Sequence, residues 1–310
     1  MAIAQSSSVL GRPAGIGELA GMPEVDDVLA ALWLNELLPN EVLFPSLARH
    51  PEATGPMAAP QRLASMYGAA VRTVTDINTG TDHAWATAFA PHVLISLGFG
   101  QILRPHVIEL PPLGCFNTHP GDLPRYAGLF CPVRAILAGE ENLVCTLHRM
   151  DRGIDTGPIV SQAHIPVDRA QSVTWHYEQL YLAGTPLVHE LLSSLSAGRP
   201  AREQPQARGT RSYGGCLDLN EVTALHARGM RLAQRRDFRH YLGAFIASEP
   251  GRTDGLHAEL TRCWQAWLST LAPPARSLLD RVITLEELLL RGRIPAPAPN
   301  GSELAVEEVS

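Results

Sequence analysis

Two stretches decide how this chain reads: residues 115–126, CFNTHPGDLPRY, and residues 143–167, LVCTLHRMDRGIDTGPIVSQAHIPV. Asn117 and His119 stand two apart in a run that reads as the end of a strand, so both side chains point to one face of a sheet. Pro120 keeps His119 extended and stops the strand. An amide and an imidazole are thus presented at a strand's carboxyl end, which is where ligands bind in open α/β sheets. Gly153 and Gly157 bracket Ile154, Asp155 and Thr156 in a tight loop able to return a carboxylate to the same place. The trio Asn117, His119 and Asp155 suits acyl transfer to an amine. Asn117, and His119 when protonated, can donate to an oxygen gaining negative charge. Asp155 can orient the imidazole, hold its charge and relay protons.

Working outward, residues 92–97, HVLISL, form a continuous apolar run of strand length, as for a parallel strand buried on both faces. Before it, helical patterns at 25–38, 60–70 and 82–90 alternate with strand patterns at 41–44 and 71–75. After it come a short helix at 132–138, strands at 143–150 and 157–167, and a long helix capped by Ser172, running to Ser196 and closed by Gly198. The fold class is therefore α/β, a doubly wound and mostly parallel sheet. From residue 219 the pattern is helical, with Val222, Leu225, Met230, Phe238, Tyr241 and Phe245 as the buried stripe. The expected organisation is a catalytic domain over 1–200 (its first 23 residues poorly defined), a helical accessory region over 201–293 and a disordered tail over 294–310. Cys145 alternates with Thr146 and His148 and should face away from them. Asp151 reads as a loop cap.

Composition closes several doors. The 310-residue chain has 45% hydrophobic residues and a formal net charge of −6, so it reads as globular and not as a general nucleic-acid binder. All 25 of its Lys-plus-Arg residues are arginine. Without lysine there is no P-loop lysine, no Schiff-base lysine and no Ser-Lys dyad. Five cysteines, with no C-x-x-C pair, fit neither a disulfide framework nor a metal finger. No histidine pair has zinc-protease spacing, and no G-x-S-x-G elbow is present. No metal is expected. Gly15-Ile16-Gly17 follows no strand and is a poor dinucleotide fingerprint. With no leader-like or membrane-spanning run, the expected location is the cytoplasm.

The pattern N-x-H-P, LP-x-Y and TLH-x-MD-x-GIDTGPI resembles the core signature of the folate-dependent formyltransferases. That group includes glycinamide ribonucleotide, methionyl-tRNA, sugar and hydroxyornithine formyltransferases. The resemblance is dense over about fifty residues and weaker over roughly the first two hundred. It implies catalytic roles for Asn117, His119 and Asp155, with 10-formyltetrahydrofolate as donor. It implies a folate pocket lined by Phe99, Gly100, Gln101, Ile102, Leu103 and Ile154. Thr146 and His148 fall on the family's Ser/Thr-x-His, while Arg125 and Tyr126 lie on the expected rim as substrate contacts. The sequence departs from the pattern in three places. Ala127 replaces an arginine, Val144-Cys145 replaces Gly-Val, and the opening buried strand is missing unless residues 2–10 supply it. The expected acceptor is a small-molecule amine or hydroxylamine of specialised metabolism, siderophore-like or amino-sugar, with a homodimer as a further expectation. Methionyl-tRNA is the alternative acceptor, although that branch carries a β-rich basic C-terminal domain. A non-catalytic folate-binding pseudoenzyme is the alternative of another class.

Overall fold

A computed structural model of the chain describes residues 1–6, 39–53, 55, 57–207, 209–246, 254–270 and 306–307. In chain order these form β1 (Ala2–Ser6), a π-helical turn (Pro39–Leu43) leading into α1 (Phe44–Arg49), α2 (Pro60–Tyr67), β2 (Ala70–Val74), α3 (Gly80–Phe89), β3 (Leu94–Leu97), α4 (Pro105–Ile108), β4 (Cys115–His119), β5 (Ala127–Gly128) and α5 (Cys131–Ala138). Then follow β6 (Asn142–Arg149), β7 (Ile159–Pro166), α6 (Val173–Ser196), β8 (Tyr213–Gly214), α7 (Leu219–Ala227), α8 (Arg235–Phe245), α9 (Asp254–Thr270) and β9 (Val306–Glu307). Contacts divide the chain into two units, Met1–Val74 with Leu232–Asn300, and Thr75–Arg231 with Gly301–Ser310. This division does not fall at residue 200: α7 packs on α5 within the second unit.

In the first unit, β1 pairs in parallel with β2, from Ala2 opposite Ala70 to Ser6 opposite Val74. A strand therefore opens the chain, in a two-stranded sheet with β2. Residues 41–44, expected as a strand, are instead the π-turn and the start of α1. Pro45 in the first helical turn explains this, since its missing N–H costs nothing there. The core of this unit joins Phe44, Leu47, Phe245, Leu256, Leu260 and Trp264, with Phe44 edge-on to Phe245 at 5.2 Å. The expected helix at 25–38 and Gly15-Ile16-Gly17 lie outside the described residues.

The second unit holds a five-stranded sheet in the order β3-β4-β6-β7-β9. β3 and β4 are parallel; β6 and β7 run antiparallel to their neighbours, so this sheet is mixed. A short loop returns β6 into β7, and such a connection permits only antiparallel pairing. β3 is less covered than its apolar run suggests: Leu97 is 55% exposed, because β3 ends the strand order of this sheet. In the expected tail, Val306–Glu307 pairs with β7 at Gln162 and Ala163, using the backbone groups β7 leaves free on that side. α6 covers one face of the sheet with Leu180, Leu187 and Leu191, and Ser172 Oγ accepts from Trp175 N at 3.0 Å as its N-cap. Gly184 lets this helix close on Cys145, which faces it: a Cβ at 184 would lie 2.7 Å from the thiol sulfur. The opposite face of the sheet is left to β4's Asn117 and His119. No helix among the described residues is long and apolar enough to cross a membrane.

Candidate active site

The antiparallel register of β4 and β6 sets Asn117 opposite His148 and His119 opposite Thr146, all four on one face. Asp155 returns to that face in the loop after β6. Its carboxylate lies 3.6 Å from His119 Nδ1 through Oδ2 and 3.6 Å from His148 Nε2 through Oδ1. The three residues read from the sequence thus come together, with His148 as a fourth member. Both histidines are 3% exposed or less.

Hydrogen bonds assign the protons. His148 Nδ1 faces the Arg149 carbonyl at 2.9 Å, and a carbonyl only accepts, so that nitrogen carries a hydrogen. In the neutral ring its Nε2 is then a lone pair, which accepts from Asn117 Nδ2 at 3.3 Å. His148 thereby fixes which end of the Asn117 amide is the donor and leaves its second N–H for a ligand. His119 Nε2 donates to the Tyr126 carbonyl at 2.8 Å, which turns Nδ1 toward Asp155. Burial pushes the His119 pKa below its ordinary value, opposed by the Asp155 charge and the Tyr126 carbonyl. At neutral pH the ring is therefore neutral, with the Nδ1 lone pair beside a carboxylate. Its N–H points into the protein, so donation to a formyl oxygen, expected from sequence, requires His119 to give up Tyr126.

Burial acts to raise the Asp155 pKa, but a hydrogen bond from His148 and the charge of His119, each present once that ring is protonated, together with the Gly128 amide, outweigh it and hold the carboxyl below its ordinary range. Gly128 N donates to Oδ2 at 2.8 Å. His119 sits under the loop that follows β4. Gly121 is required there, since a Cβ would fall 2.6 Å from His119 Nε2 and 2.8 Å from Cys131 Cβ.

The remaining sequence-derived positions separate into roles. Thr146 supports the site from behind: its buried Oγ1 donates to Gly121 O at 2.7 Å and accepts from Gln162 at 2.9 Å, pinning the loop over His119. Thr146→Val keeps the shape and strands that carbonyl, so it should cost about 1–3 kcal/mol of stability in urea unfolding. Arg125 pairs with Asp122 at 3.4 Å and with Glu140, and Tyr126 OH donates to Glu140 at 2.9 Å. Both line a cavity of about 440 Å³ bounded by Asp122, Cys131, Glu140 and His164, not the surroundings of Asn117. Asp151 caps its own loop, accepting from Gly153 N at 3.0 Å and Thr156 Oγ1 at 2.6 Å.

In the expected folate segment, the Gln101 side chain is spent on backbone, accepting from Ile77 N at 2.9 Å and donating to Thr75 O at 3.1 Å. Asn78, which the sequence reading passed over, donates to Ile102 O at 3.0 Å and accepts from Arg104 N at 2.8 Å. Leu103 is buried, Phe99 and Gly100 are half-buried, and Ile102 is 70% exposed. Leu97 and Ile154 are exposed too. These aliphatic side chains, left open at the strand ends and in the Asp155 loop, are chemically suited to a flat ring. Gly128, the Tyr126 carbonyl and Gln206 also serve the site without any signal in sequence, since each acts through backbone or across a long loop.

Part of the chain is similar to known proteins. Residues 58–190 match the formyl transferase family. Over that segment the chain is similar to formyltransferases. A methionyl-tRNA formyltransferase of Novosphingobium aromaticivorans is 34% identical over 201 residues, 64% of this chain and 65% of that protein. One from Kosmotoga olearia is 31% identical over 153 residues, 49% of each chain. The chain spans about half the length of several curated relatives it matches. Among solved structures, the formyltransferase PseJ from Anoxybacillus kamchatkensis, in complex with a formamido sugar nucleotide and tetrahydrofolate, is 25% identical over 55% of this chain and 88% of its own, with a TM-score of 0.44.

Proposed function

We propose that this chain is an N-formyltransferase that moves the formyl group of 10-formyltetrahydrofolate onto the amine or hydroxylamine of a small metabolite. The observation that carries this is the Asn117–His148–Asp155–His119 cluster at the carboxyl end of β4. The folate supplies an activated formyl carbon; residues 98–103 and Ile154 are the groups that would hold it. Asn117 offers its free amide N–H to the formyl oxygen as negative charge gathers there. The acceptor nitrogen must lose a proton as its bond to the formyl carbon forms, and the departing folate nitrogen must gain one. His119 Nδ1, which carries no hydrogen in the neutral ring, is the proton acceptor, and Asp155 stabilises the imidazolium that results.

The small-molecule acceptor is supported by helical α7, α8 and α9 following the catalytic segment and by the net charge of −6. Methionyl-tRNA is the second reading, because relatives at 31–36% identity carry that name. The pseudoenzyme reading loses its motive, since β1 is present. Tetrahydrofolate release separates the three when followed with amino sugars, N-hydroxylated diamines and methionyl-tRNA as acceptors. Turnover is expected with a small amine. Formylation of methionyl-tRNA at comparable kcat/KM, weakening steeply with salt, overturns the acceptor, and no release with any acceptor overturns the activity.

A further inference from the structure

Residues 203–207 and 209–214, most of them within the polar, Arg- and Pro-bearing stretch expected as a linker over 199–211, return across the Asp155 loop. Glu203 pairs with Arg149 at 2.7 Å, and Gln204 exchanges two 2.8 Å backbone hydrogen bonds with Ile159. Gln206 Nε2 then donates to both Asp155 O, at 3.0 Å, and Gly157 O, at 2.7 Å. Arg211 donates to Ile154 O at 2.6 Å. Next, Ser212 O accepts from Ala127 N at 2.9 Å, and β8 pairs in parallel with β5, setting Gly128 opposite Gly214. Gly128 is the residue whose amide holds the Asp155 carboxylate.

We propose that Gln206 is a positioning residue for Asp155, and that residues 203–207 and 209–214 form a strap that sets the angle of the carboxylate toward His119. Asp155 has φ +52°, a left-handed conformation that is unfavourable for a residue with a Cβ and persists only where its surroundings impose it. Two peptide planes meet at its Cα, and their orientations define its φ and ψ. The carbonyl of the plane before it, Ile154 O, is held by Arg211. The carbonyl of the plane after it, Asp155 O, is held by Gln206. Fixing both planes fixes the direction in which the Cβ leaves the chain. The strap's β8 then secures β5, and so places the amide that donates to Oδ2. Backbone and side chain of one carboxylate are thus tied to a single segment that contributes no group to the reaction itself. In its catalytic consequence this inference rests on the proposed formyl transfer.

The test uses the full chain carrying Gln206→Met, which preserves length and removes both donors. Hydrogen exchange at the Gly128 amide should quicken by about tenfold as the carboxylate loosens. In turnover, kcat should fall about tenfold, as for a small misplacement of a reacting group, with KM for the folate within about twofold. Adding Gln206→Met to Asp155→Asn should change kcat by less than about twofold, because the two act through one group. Unchanged exchange at Gly128, unchanged kcat with only a lowered Tm, or a full additional loss on top of Asp155→Asn each overturn the proposal. Should the wild-type chain show no formyl transfer, the proposed function fails, and the Gly128 exchange rates still decide the strap.

Discussion

Asn117→Ala and His119→Ala should each lower kcat by about a hundredfold or more, the scale set by losing one donor to a developing oxyanion or one acid–base group. For Asn117 the case is geometric. His148 takes one amide N–H at 3.3 Å and so fixes the remaining one on the same face as His119. Alanine removes that donor but leaves the β4–β6 ladder and the His148 bond to Arg149 O untouched. The folate KM and the Tm should therefore stay near wild type while kcat falls. For His119 the expected loss comes from the proton acceptor at Nδ1. Its ring is also enclosed by Gly121, Tyr126 and Cys131, so alanine opens a space and lowers stability as well. Single-turnover rates on protein shown to be folded by urea titration separate the two effects. Near-normal turnover in either folded variant removes the assignment of these residues.

The sequence disclosed the parts of this site that lie in regular structure. Two residues two apart on a strand share a face whatever the rest of the chain does, which is why Asn117 and His119 were legible. So were β3, β6, β7, α3, α5 and α6 of the second unit, where apolar period, Ser172 and Gly198 agree, whereas α4, β5, β8 and β9 carry too few residues to show a period. His148 was legible as a neighbour of the site but not in its role, because that depends on the register pairing it with Asn117. What stayed hidden is carried by backbone. Tyr126 is expected as a rim contact, yet its backbone carbonyl is what holds His119. Gln206 stood in a stretch that looked like a linker, since polar composition cannot show that two N–H groups have found carbonyls fifty residues away. The reading of residues 41–44 as a strand failed because four apolar-rich residues carry no period, and Pro45 decided for helix.

Asp155→Asn should leave folate binding within a few-fold and lower kcat by about a hundredfold or more. Asparagine keeps the shape, can still accept from the Gly128 amide and tolerates the left-handed backbone at φ +52°, so the loop survives. What disappears is the negative charge 3.6 Å from His119 Nδ1, and with it the stabilisation of the imidazolium formed when the acceptor's proton arrives. The pH dependence gives the sign. Neutral His119 is the reactive form, and burial places its pKa below the ordinary 6.5, so activity falls as pH drops through that lowered value. The Asp155 charge is one of the influences holding the His119 pKa up. Removing it lets the pKa fall further, and the acid limb of the rate profile should move to lower pH and flatten over the accessible range, even as the plateau collapses. Stability follows the same carboxylate. Its depressed pKa stabilises the fold above the unfolded-state value of about 3.8, and that contribution is lost as pH falls through the folded value. The gap in stability between wild type and Asp155→Asn should therefore close in acid. Were Asp155 only a loop cap, asparagine would serve equally well, and both the plateau and the acid limb would match wild type. Single-turnover rates from low to high pH, with folate affinity by calorimetry, distinguish the two outcomes, because only a carboxylate acting on His119 changes the height and the midpoint of the profile together.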